Sequence, residues 1–300
     1  MRKVQIIADS TSDIKNVKRI IDDSNVNYFS LYTKRNVKTL PLGVDIAGIY
    51  YADGVDLSVP SMFDKIESSK TMPKTSAISP QKFIDCFKEF IDKDMDIVYI
   101  SLSSKISSTY NSAVIALESF DKDRIFVIDS ESLSAGIGLS VMKACDLRDN
   151  GLSAEEICNY INKYKKGVTA QFGINSLEFL YKGGRASGLT FFISKIVRIK
   201  PLLVMKDGSL VIKDKIMGKT KKVIEKQFEY FLEDYKNGKV DTSYIFVTHC
   251  YAYDLKDCVK EMFVNANIPL DNVYESLSGC VISSHCGKGT LGILYGLLTK

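Results

Sequence analysis

The stretch that decides the fold, residues 96–113, reads DIVYISLSSKISSTYNSA. After Asp96, residues 97–100 are apolar and rich in β-branched side chains, and the part after Thr109 has a helical composition, so the sequence predicts a strand followed by a helix. Eight hydroxyl-bearing residues fall within the thirteen positions from 101 to 113, which is more than helix capping requires. Ligands of α/β proteins bind where a strand gives way to a helix, because free backbone N–H groups there attract anions.

A second cluster of hydroxyl side chains lies upstream, where residues 74–80 read KTSAISP. This cluster also precedes a predicted helix, and Pro80 suits the first helical position. Two such clusters can hold one small anionic group from two sides. The alternative is that both are ordinary N-caps, which is the commonest role of a single Ser or Thr before a helix.

Length and composition narrow the class of protein. Three hundred residues exceed what one hydrophobic core usually contains, so we expect two domains. Hydrophobic residues make up 45% and charged residues 25%, which is typical of a soluble globular protein. A net charge of +4, from 40 basic and 36 acidic residues, is too small to favour a nucleic-acid partner. Because no window approaches 18 uninterrupted apolar residues and no signal-type segment follows Met1, we expect a cytoplasmic protein without a transmembrane segment.

The cysteines and histidines do not indicate a disulfide framework or a metal site. Seven cysteines are scattered without a Cys-x-x-Cys pair, and only two histidines are present. Cys250 and Cys286 each follow a histidine, His249 and His285. Adjacent residues of an extended chain point to opposite faces, so neither pair is expected to form a catalytic dyad.

In the first half, short β-rich runs alternate with helical patterns, which favours a largely parallel sheet with helices on its faces. The predicted strands are residues 4–8, 28–32, 97–101 and 125–129. The predicted helices are residues 13–23, 60–68, 80–92, 109–120 and 133–148. A capping-box pattern of Ser153 and Glu156 then begins another helix, near the change of domain.

The second half favours a mixed sheet with antiparallel pairs, because a turn signal at residues 206–209 separates two predicted strands. The predicted strands are residues 168–174, 200–205, 210–214, 244–249 and 281–283. The predicted helices are residues 219–235, 255–265 and 289–298. We therefore expect an α/β domain with a mainly parallel sheet over residues 1–165 and a mixed α/β domain over residues 166–300.

Two glycine-containing sites in the second half carry further chemistry. Arg185 follows Gly183 and Gly184 and offers a bidentate fork for a carboxylate or phosphate. His285 precedes a turn containing two glycines and adds a group whose charge changes near neutral pH. The alternative roles are a helix C-cap at Gly183, a surface ion pair for Arg185 and a simple tight turn after Cys286. Neither site fits a nucleotide-binding fingerprint.

Six motifs in this order resemble the DegV family of bacterial fatty-acid-binding proteins over essentially the whole chain. They are IADSTSD at residues 7–13, YADGVD at 51–56, KTS at 74–76, LSSKISSTYNSA at 102–113, KGGRAS at 182–187 and HCGKGTLG at 285–292. The resemblance implies a two-domain DegV-like α/β fold that buries a long-chain fatty acid in the first domain, with the carboxylate near the domain junction. It implies a lipid-binding protein that is not an enzyme, with the fatty acid as ligand, no other cofactor and no metal.

Site residues follow from the resemblance, motif by motif. The family's carboxylate contacts fall on Thr75 and Ser107, with Ser76, Ser103 and Ser104 nearby. The polar residues beside the exposed carboxylate fall on Arg185 and His285. In members that work with fatty acid kinase, the resemblance also implies a non-catalytic carrier subunit, whose bound carboxylate is phosphorylated by a separate ATP-dependent subunit.

Three positions depart from the family pattern. Ser108 replaces the usual Gly, Lys288 replaces the usual Pro, and Met217 replaces an Arg in a segment implicated in engaging the kinase subunit. Fatty-acid binding is therefore better supported than kinase partnership. Two other functions stay open, a hydrolase or phosphotransferase that uses a serine with His285, and a binding module for another lipid or carboxylate. The first lacks the G-x-S-x-G elbow.

Overall fold

The computed structural model of the chain describes residues 2–22, 25–121, 123–186 and 199–298. Its strands β1 to β14 are Lys3–Asp9, Val17–Arg19, Val37–Leu40, Gly43–Ile46, Ile49–Ala52, Lys74–Ser76, Met95–Ser101, Ile125–Asp129, Val168–Gly173, Ile199–Lys206, Ser209–Met217, Val240–Cys250, Val273–Leu277 and Thr290–Leu297. Its α-helices α1 to α10 are Leu31–Lys34, Val59–Ser69, Pro80–Ile91, Thr109–Ala116, Ala135–Asp149, Ala154–Tyr164, Glu178–Lys182, Thr220–Lys236, Tyr253–Asn265 and Cys280–Cys286.

The strands form three sheets. Four parallel strands make the first, in the order β3-β1-β7-β8. Seven strands make the second, in the order β11-β10-β9-β14-β12-β13-β2, where only β12 and β13 run parallel. A small antiparallel sheet has the order β5-β4-β6. The predicted α/β class, with one parallel and one mixed sheet, is confirmed.

Helix α5 joins the cores of the two large sheets. It packs against β1 and β7 of the first sheet and against β9, β12 and β14 of the second. Ten of its fifteen residues are buried, with no polar face, as expected for a helix covered on all sides. Because Gly138 has no side chain, α5 can lie close to the segment after β1. A Cβ at Gly138 would lie 2.6 Å from Cγ2 of Ile14 and 2.9 Å from the carbonyl oxygen of Ser12.

The opposite face of the seven-stranded sheet carries a second core. Helices α8 and α9 pack there, and the rings of Phe228, Phe231 and Phe263 meet at centroid distances of 4.9 to 5.9 Å. The first core cluster, by contrast, runs continuously from Val4 on β1 to Leu294 on β14. The cavity described below is lined by residues of this first cluster.

Strand β2 connects the two halves of the chain. It pairs antiparallel with β13 and forms the edge of the seven-stranded sheet, although the rest of that sheet begins at Val168. The helix predicted over residues 13–23 is therefore wrong where the chain is described, because β2 occupies its centre; residue 23 lies outside the described residues. The strand predicted over residues 28–32 is also wrong, since Phe29 forms an isolated bridge to Val17 and α1 starts at Leu31. The boundary at residue 165 stays a prediction.

Two predictions near the C-terminus are wrong because helix and strand are exchanged. Residues 281–283 lie in helix α10 and not in a strand, while residues 290–297 form strand β14 and not a helix. β14 lies between β9 and β12 and is buried on both faces, so it lacks the alternation that marks a half-exposed strand. Three local predictions are confirmed: Pro80 in the first turn of α3, the capping box at Ser153, and the turn at residues 206–209.

Among the described residues, no helix is both long enough and apolar enough to cross a membrane.

Candidate functional site

A buried carboxylate shapes the loop after β7. Asp9, the last residue of β1, accepts hydrogen bonds from the backbone N–H of Leu102 at 2.9 Å and of Thr11 at 3.0 Å, and from the Tyr99 hydroxyl at 3.2 Å. Burial raises the pKa of Asp9, and these donors oppose that rise. The adjacent parallel strands β1 and β7 thus end at one edge, and the hydroxyl-rich loop starts from a fixed point.

Two predicted site residues in that loop have protein partners. The Ser103 hydroxyl donates to the Gly208 carbonyl at 2.7 Å, and the Ser104 N–H donates to the Asp129 carboxylate at 3.2 Å. Neither serine lines the cavity described below. Their contact with a ligand stays a prediction, and the structure gives them the task of holding the loop against the β10–β11 turn and β8.

The other five predicted site residues line a single cavity of about 190 Å³. Thr75 and Ser76 come from β6, Ser107 precedes α4, Arg185 follows α7, and His285 lies on α10. The two hydroxyl clusters recognised in the sequence thus meet at one place, although they are about thirty residues apart along the chain.

At this cavity, His285 from the second half of the chain contacts Thr75 from the first half. Its Nε2 lies 2.9 Å from Oγ1 of Thr75, in hydrogen-bonding distance. Its Nδ1 is buried and has no hydrogen-bond partner among the described residues. Burial first, and then the positive charge of Arg185, lower the pKa of His285 to about 4. The imidazole is therefore neutral at physiological pH in the empty cavity.

Arg185 lies beside this histidine. Its Nε donates to the Ile106 carbonyl at 3.2 Å and its Nη1 to the Gly183 carbonyl at 2.8 Å. Within the described part of the chain, no carboxylate forms an ion pair with this guanidinium. These bonds connect Arg185 to the loop that carries Ser107, whose hydroxyl lies 3.0 Å from Oγ1 of Thr109 and accepts from the Thr109 N–H at 3.3 Å.

The remainder of the cavity wall is largely apolar. Residues from several elements and loops contribute, namely Leu42, Leu102, Leu133, Phe172, Leu210, Val281 and Leu294. Sequence reasoning missed these residues, because each has the appearance of ordinary core and no local pattern marks it. The cavity therefore combines a cluster of hydroxyl, imidazole and guanidinium groups with a hydrocarbon lining.

Two further carboxylates, also missed in the sequence, hold helix α10 in place. Asp13 accepts a hydrogen bond from the Gly279 N–H at 2.8 Å, and Asp53 accepts one from the Cys280 N–H at 2.8 Å. Both belong to the first half of the chain and compensate for the lack of a side-chain cap on α10. Burial raises the pKa of both aspartates. The position of His285 thus depends on residues far from it in sequence.

The geometry does not favour the serine hydrolase alternative. The hydroxyl next to His285 belongs to Thr75, and among the described residues no carboxylate orients the imidazole. Nor do the described residues contain a group of three or more His, Cys, Asp or Glu side chains suited to a metal ion. The arrangement is instead suited to binding an anionic head group joined to an apolar tail.

Comparison with known proteins agrees with the geometry. A sequence model of an uncharacterised protein family, DegV, matches residues 3–297. The chain belongs to the DegV family. A DegV domain-containing protein of Clostridium acetobutylicum is 30% identical over 295 residues, which cover 98% of this chain and 99% of the relative.

Solved DegV structures share the fold. A DegV family protein from Thermus thermophilus, described by its fatty acid binding, has a TM-score of 0.82 and 26% identity and covers 99% of this chain and 100% of its own. DegV of Bacillus subtilis, described as a fatty acid binding protein, gives the same TM-score, identity and coverage. Ser187, the last residue of the fifth motif, lies outside the described residues.

Proposed function

We propose that this chain binds a long-chain fatty acid in the cavity, with the carboxylate at Thr75, Ser107, Arg185 and His285. The observation that carries the proposal is the composition of one enclosed wall, which joins these polar groups to a hydrocarbon lining. Support comes from the two solved DegV structures described as fatty acid binding, each 26% identical to this chain.

The polar cluster offers the donors that a carboxylate needs. Arg185 supplies a charge-assisted hydrogen bond, and Thr75 and Ser107 supply hydroxyl donors. A carboxylate beside His285 would raise its pKa above the value of about 4 in the empty cavity. Binding would therefore be accompanied by proton uptake when His285 becomes charged.

The hydrocarbon tail supplies the affinity, at roughly 0.8 kcal/mol for each CH₂ removed from water. A cavity of about 190 Å³ is smaller than typical ligand pockets of roughly 300 to 1,000 Å³. Accommodation of a long chain therefore requires lining side chains to move apart. We infer that the empty and loaded proteins differ in the packing of this wall.

Native mass spectrometry of protein purified without added ligand, followed by lipid extraction, tests the proposal. We expect close to one long-chain fatty acid per chain, because an apolar cavity is costly to leave in contact with water. The opposite result would be a nucleotide or sugar phosphate without any acyl chain, together with no binding of added palmitate or oleate.

Head-group variants locate the carboxylate. Thr75→Val and Ser107→Ala should each weaken palmitate binding by about 1 kcal/mol for a lost neutral hydrogen bond, and by up to roughly 3 kcal/mol if the anion depends on that donor. Thr242→Val is the matched control, since Thr242 is an exposed strand residue that does not line the cavity. Unchanged affinity in both variants and in their double would place the carboxylate elsewhere.

We propose further that the bound fatty acid is presented to a separate ATP-dependent kinase subunit, which would form an acyl phosphate. Arg185 and His285 support this role, because both line the cavity at the proposed position of the carboxylate, where negative charge would develop during transfer. Alone, the chain should show no ATPase or hydrolase activity. With the kinase subunit, Arg185→Ala and His285→Ala should reduce acyl-phosphate formation more than fatty-acid binding. Equal losses in binding and transfer would argue against a role in transfer. The cytoplasmic location stays a prediction.

Met217 tests the partnership at the surface. Its side chain is 69% exposed at the end of β11, where family members usually carry Arg. Met217→Arg should increase turnover with a kinase subunit from a typical family system without changing fatty-acid affinity. A wild type that already turns over at the usual rate, with an inert Met217→Arg, would show that this departure has no effect.

A further inference from the structure

Two thiols meet in the wall of the cavity. Cys250 ends strand β12 and Cys286 ends helix α10, and both side chains are buried, at 2% and 8% exposure. They line the same cavity as Thr75 and His285. The Cys286 thiol donates to the Gly287 carbonyl at 3.7 Å. Among the described residues, all seven cysteines are free thiols.

The backbone holds the segments that carry these two thiols close together. Cys250 pairs with Thr290 across β12 and β14, and its carbonyl accepts from the Gly289 N–H at 2.7 Å. The Thr290 hydroxyl donates to the Cys286 carbonyl at 2.8 Å. Only the short turn Gly287-Lys288-Gly289 separates Cys286 from Thr290, the residue that pairs with Cys250. Both cysteines are therefore held by the same frame, the start of β14 against the end of β12. A disulfide requires the two Cβ atoms to approach to roughly 3.5–4.5 Å, and this frame holds both residues in one wall.

The two thiols have different reactivities. The neighbouring Cys286 thiol first, and then the hydroxyls of Ser283 and Ser278 and the charge of Lys288, lower the pKa of Cys250 against the effect of burial. The neighbouring Cys250, together with burial, raises the pKa of Cys286. Because the thiolate is the nucleophile, Cys250 is the thiol that reacts first.

We propose that Cys250 and Cys286 form a redox pair that hydrogen peroxide converts into an intramolecular disulfide. The Cys250 thiolate attacks one peroxide oxygen, the O–O bond breaks, and the departing hydroxide takes up a proton to leave as water. Cys286 then loses its proton and attacks the resulting sulfenic sulfur, so that the S–S bond forms and a second water leaves. Two thiols and one peroxide become one disulfide and two waters.

The consequence for the cavity rests on the proposed function. A disulfide draws the two sulfurs to about 2.05 Å and ties the end of α10 to β12. Since a cavity of about 190 Å³ must widen to accept a long acyl chain, a cross-linked wall should resist that widening. The oxidised chain is therefore expected to bind palmitate roughly tenfold more weakly, equivalent to about 1.4 kcal/mol.

The test begins with protein stripped of lipid and treated with hydrogen peroxide. After alkylation of the remaining thiols and digestion, mass spectrometry should find one cross-linked peptide pair joining Cys250 to Cys286, reversible by dithiothreitol. Cys286→Ala should stop at a sulfenic acid on Cys250 that dimedone traps. Cys145→Ala, which removes a buried thiol outside the cavity, should leave the disulfide unchanged. Full alkylation of both wall cysteines under conditions that oxidise the half-buried Cys258 would overturn the proposal.

A second arm separates this proposal from fatty-acid binding. Saturation with palmitate should slow formation of the disulfide, because the ligand occupies the route by which peroxide reaches Cys250. Equal rates with and without bound palmitate would overturn this route of access. If no fatty acid binds at all, the proposed function fails, while the disulfide in the empty protein still supports the redox pair. Oxidised protein that binds palmitate as tightly as reduced protein would overturn the effect on the cavity.

Discussion

Substitution of Gly183 tests how tightly the histidine of the cavity is held. Gly183 ends α7 with φ −79° and ψ −2°, a conformation that alanine adopts without strain. A Cβ there would nevertheless collide with Nδ1 of His285 and lie 2.7 Å from its Cε1, with the Phe179 carbonyl at 2.9 Å. Any effect of Gly183→Ala therefore arises from contact with the ring and its neighbours.

The size of the effect follows from these distances. Ordinary contact begins at 3.4 Å, so the ring must retreat by at least 0.7 Å. Adding or subtracting 0.7 Å along the line from Nε2 to Thr75 changes the 2.9 Å hydrogen bond to 3.6 or 2.2 Å, and neither is a normal hydrogen bond. Overpacking costs about 1 to 3 kcal/mol and the lost bond about 1 kcal/mol, offset by about 0.4 to 1 kcal/mol from a less flexible unfolded chain.

We therefore expect Gly183→Ala to unfold at lower urea concentration and to bind palmitate several-fold more weakly. The ring resonances of His285 should also shift in NMR spectra, where only two histidines contribute. Gly184→Ala is the control, because its added Cβ meets nothing within 4 Å but its φ of +71° strains alanine. It should lower stability without moving the His285 signals. Unchanged His285 signals and affinity in folded Gly183→Ala would refute the reasoning.

Three other substitutions probe the surroundings of the site. The pKa of His285 lies near 4 in the folded chain and near 6.5 when unfolded, so its contribution to stability is complete above pH 6.5 and lost as pH falls toward 4. Melting curves of the empty protein should show this loss of stability. In His285→Gln the loss of stability between pH 6.5 and 4 should be smaller. Asp53→Ala should lower the free energy of unfolding in urea by about 1.5 to 3 kcal/mol, because the Cys280 N–H loses its acceptor, whereas Asp53→Asn should lose less; equal losses would contradict the anchoring of α10. Ser103→Ala should cost about 1 kcal/mol through the lost bond to Gly208 and leave palmitate affinity unchanged by calorimetry; weaker binding would return Ser103 to the ligand contacts.

The sequence predicts the fold class well because its strongest signals are local. Strands β1, β7 and β8 are short apolar runs, and helices such as α3 begin with Ser79 as N-cap and Pro80 in the first turn. The failures occur where long-range pairing decides. Residues 13–23 have apolar side chains at helical spacing, but Val17 pairs with Ser276 and bridges to Phe29. Tertiary contacts of this kind override local propensity.

The site divides in the same way. Thr75, Ser107, Arg185 and His285 carry polar or charged groups in recognisable motifs, and the structure brings them to one cavity. The apolar lining, the anchoring aspartates and the two wall thiols are different: Asp13, Asp53 and Cys286 lie inside motifs, but no local pattern indicates their roles, which depend on which elements become neighbours. Cys250 and Cys286 illustrate this point, since the sequence places each beside a histidine and far from the other, whereas the structure places both in one cavity wall.

The central position of α5 restricts how a ligand reaches the cavity. One buried helix fills the space between the two large sheets, and β2 extends from the first half into the second sheet. A hinge that swung the two halves apart would expose both faces of α5 and break the β2–β13 ladder, at the cost of much buried apolar area. If the cavity binds an acyl chain as proposed, entry and exit require local movements of individual wall segments, and exchange should be slow compared with that of a protein whose domains open about a hinge.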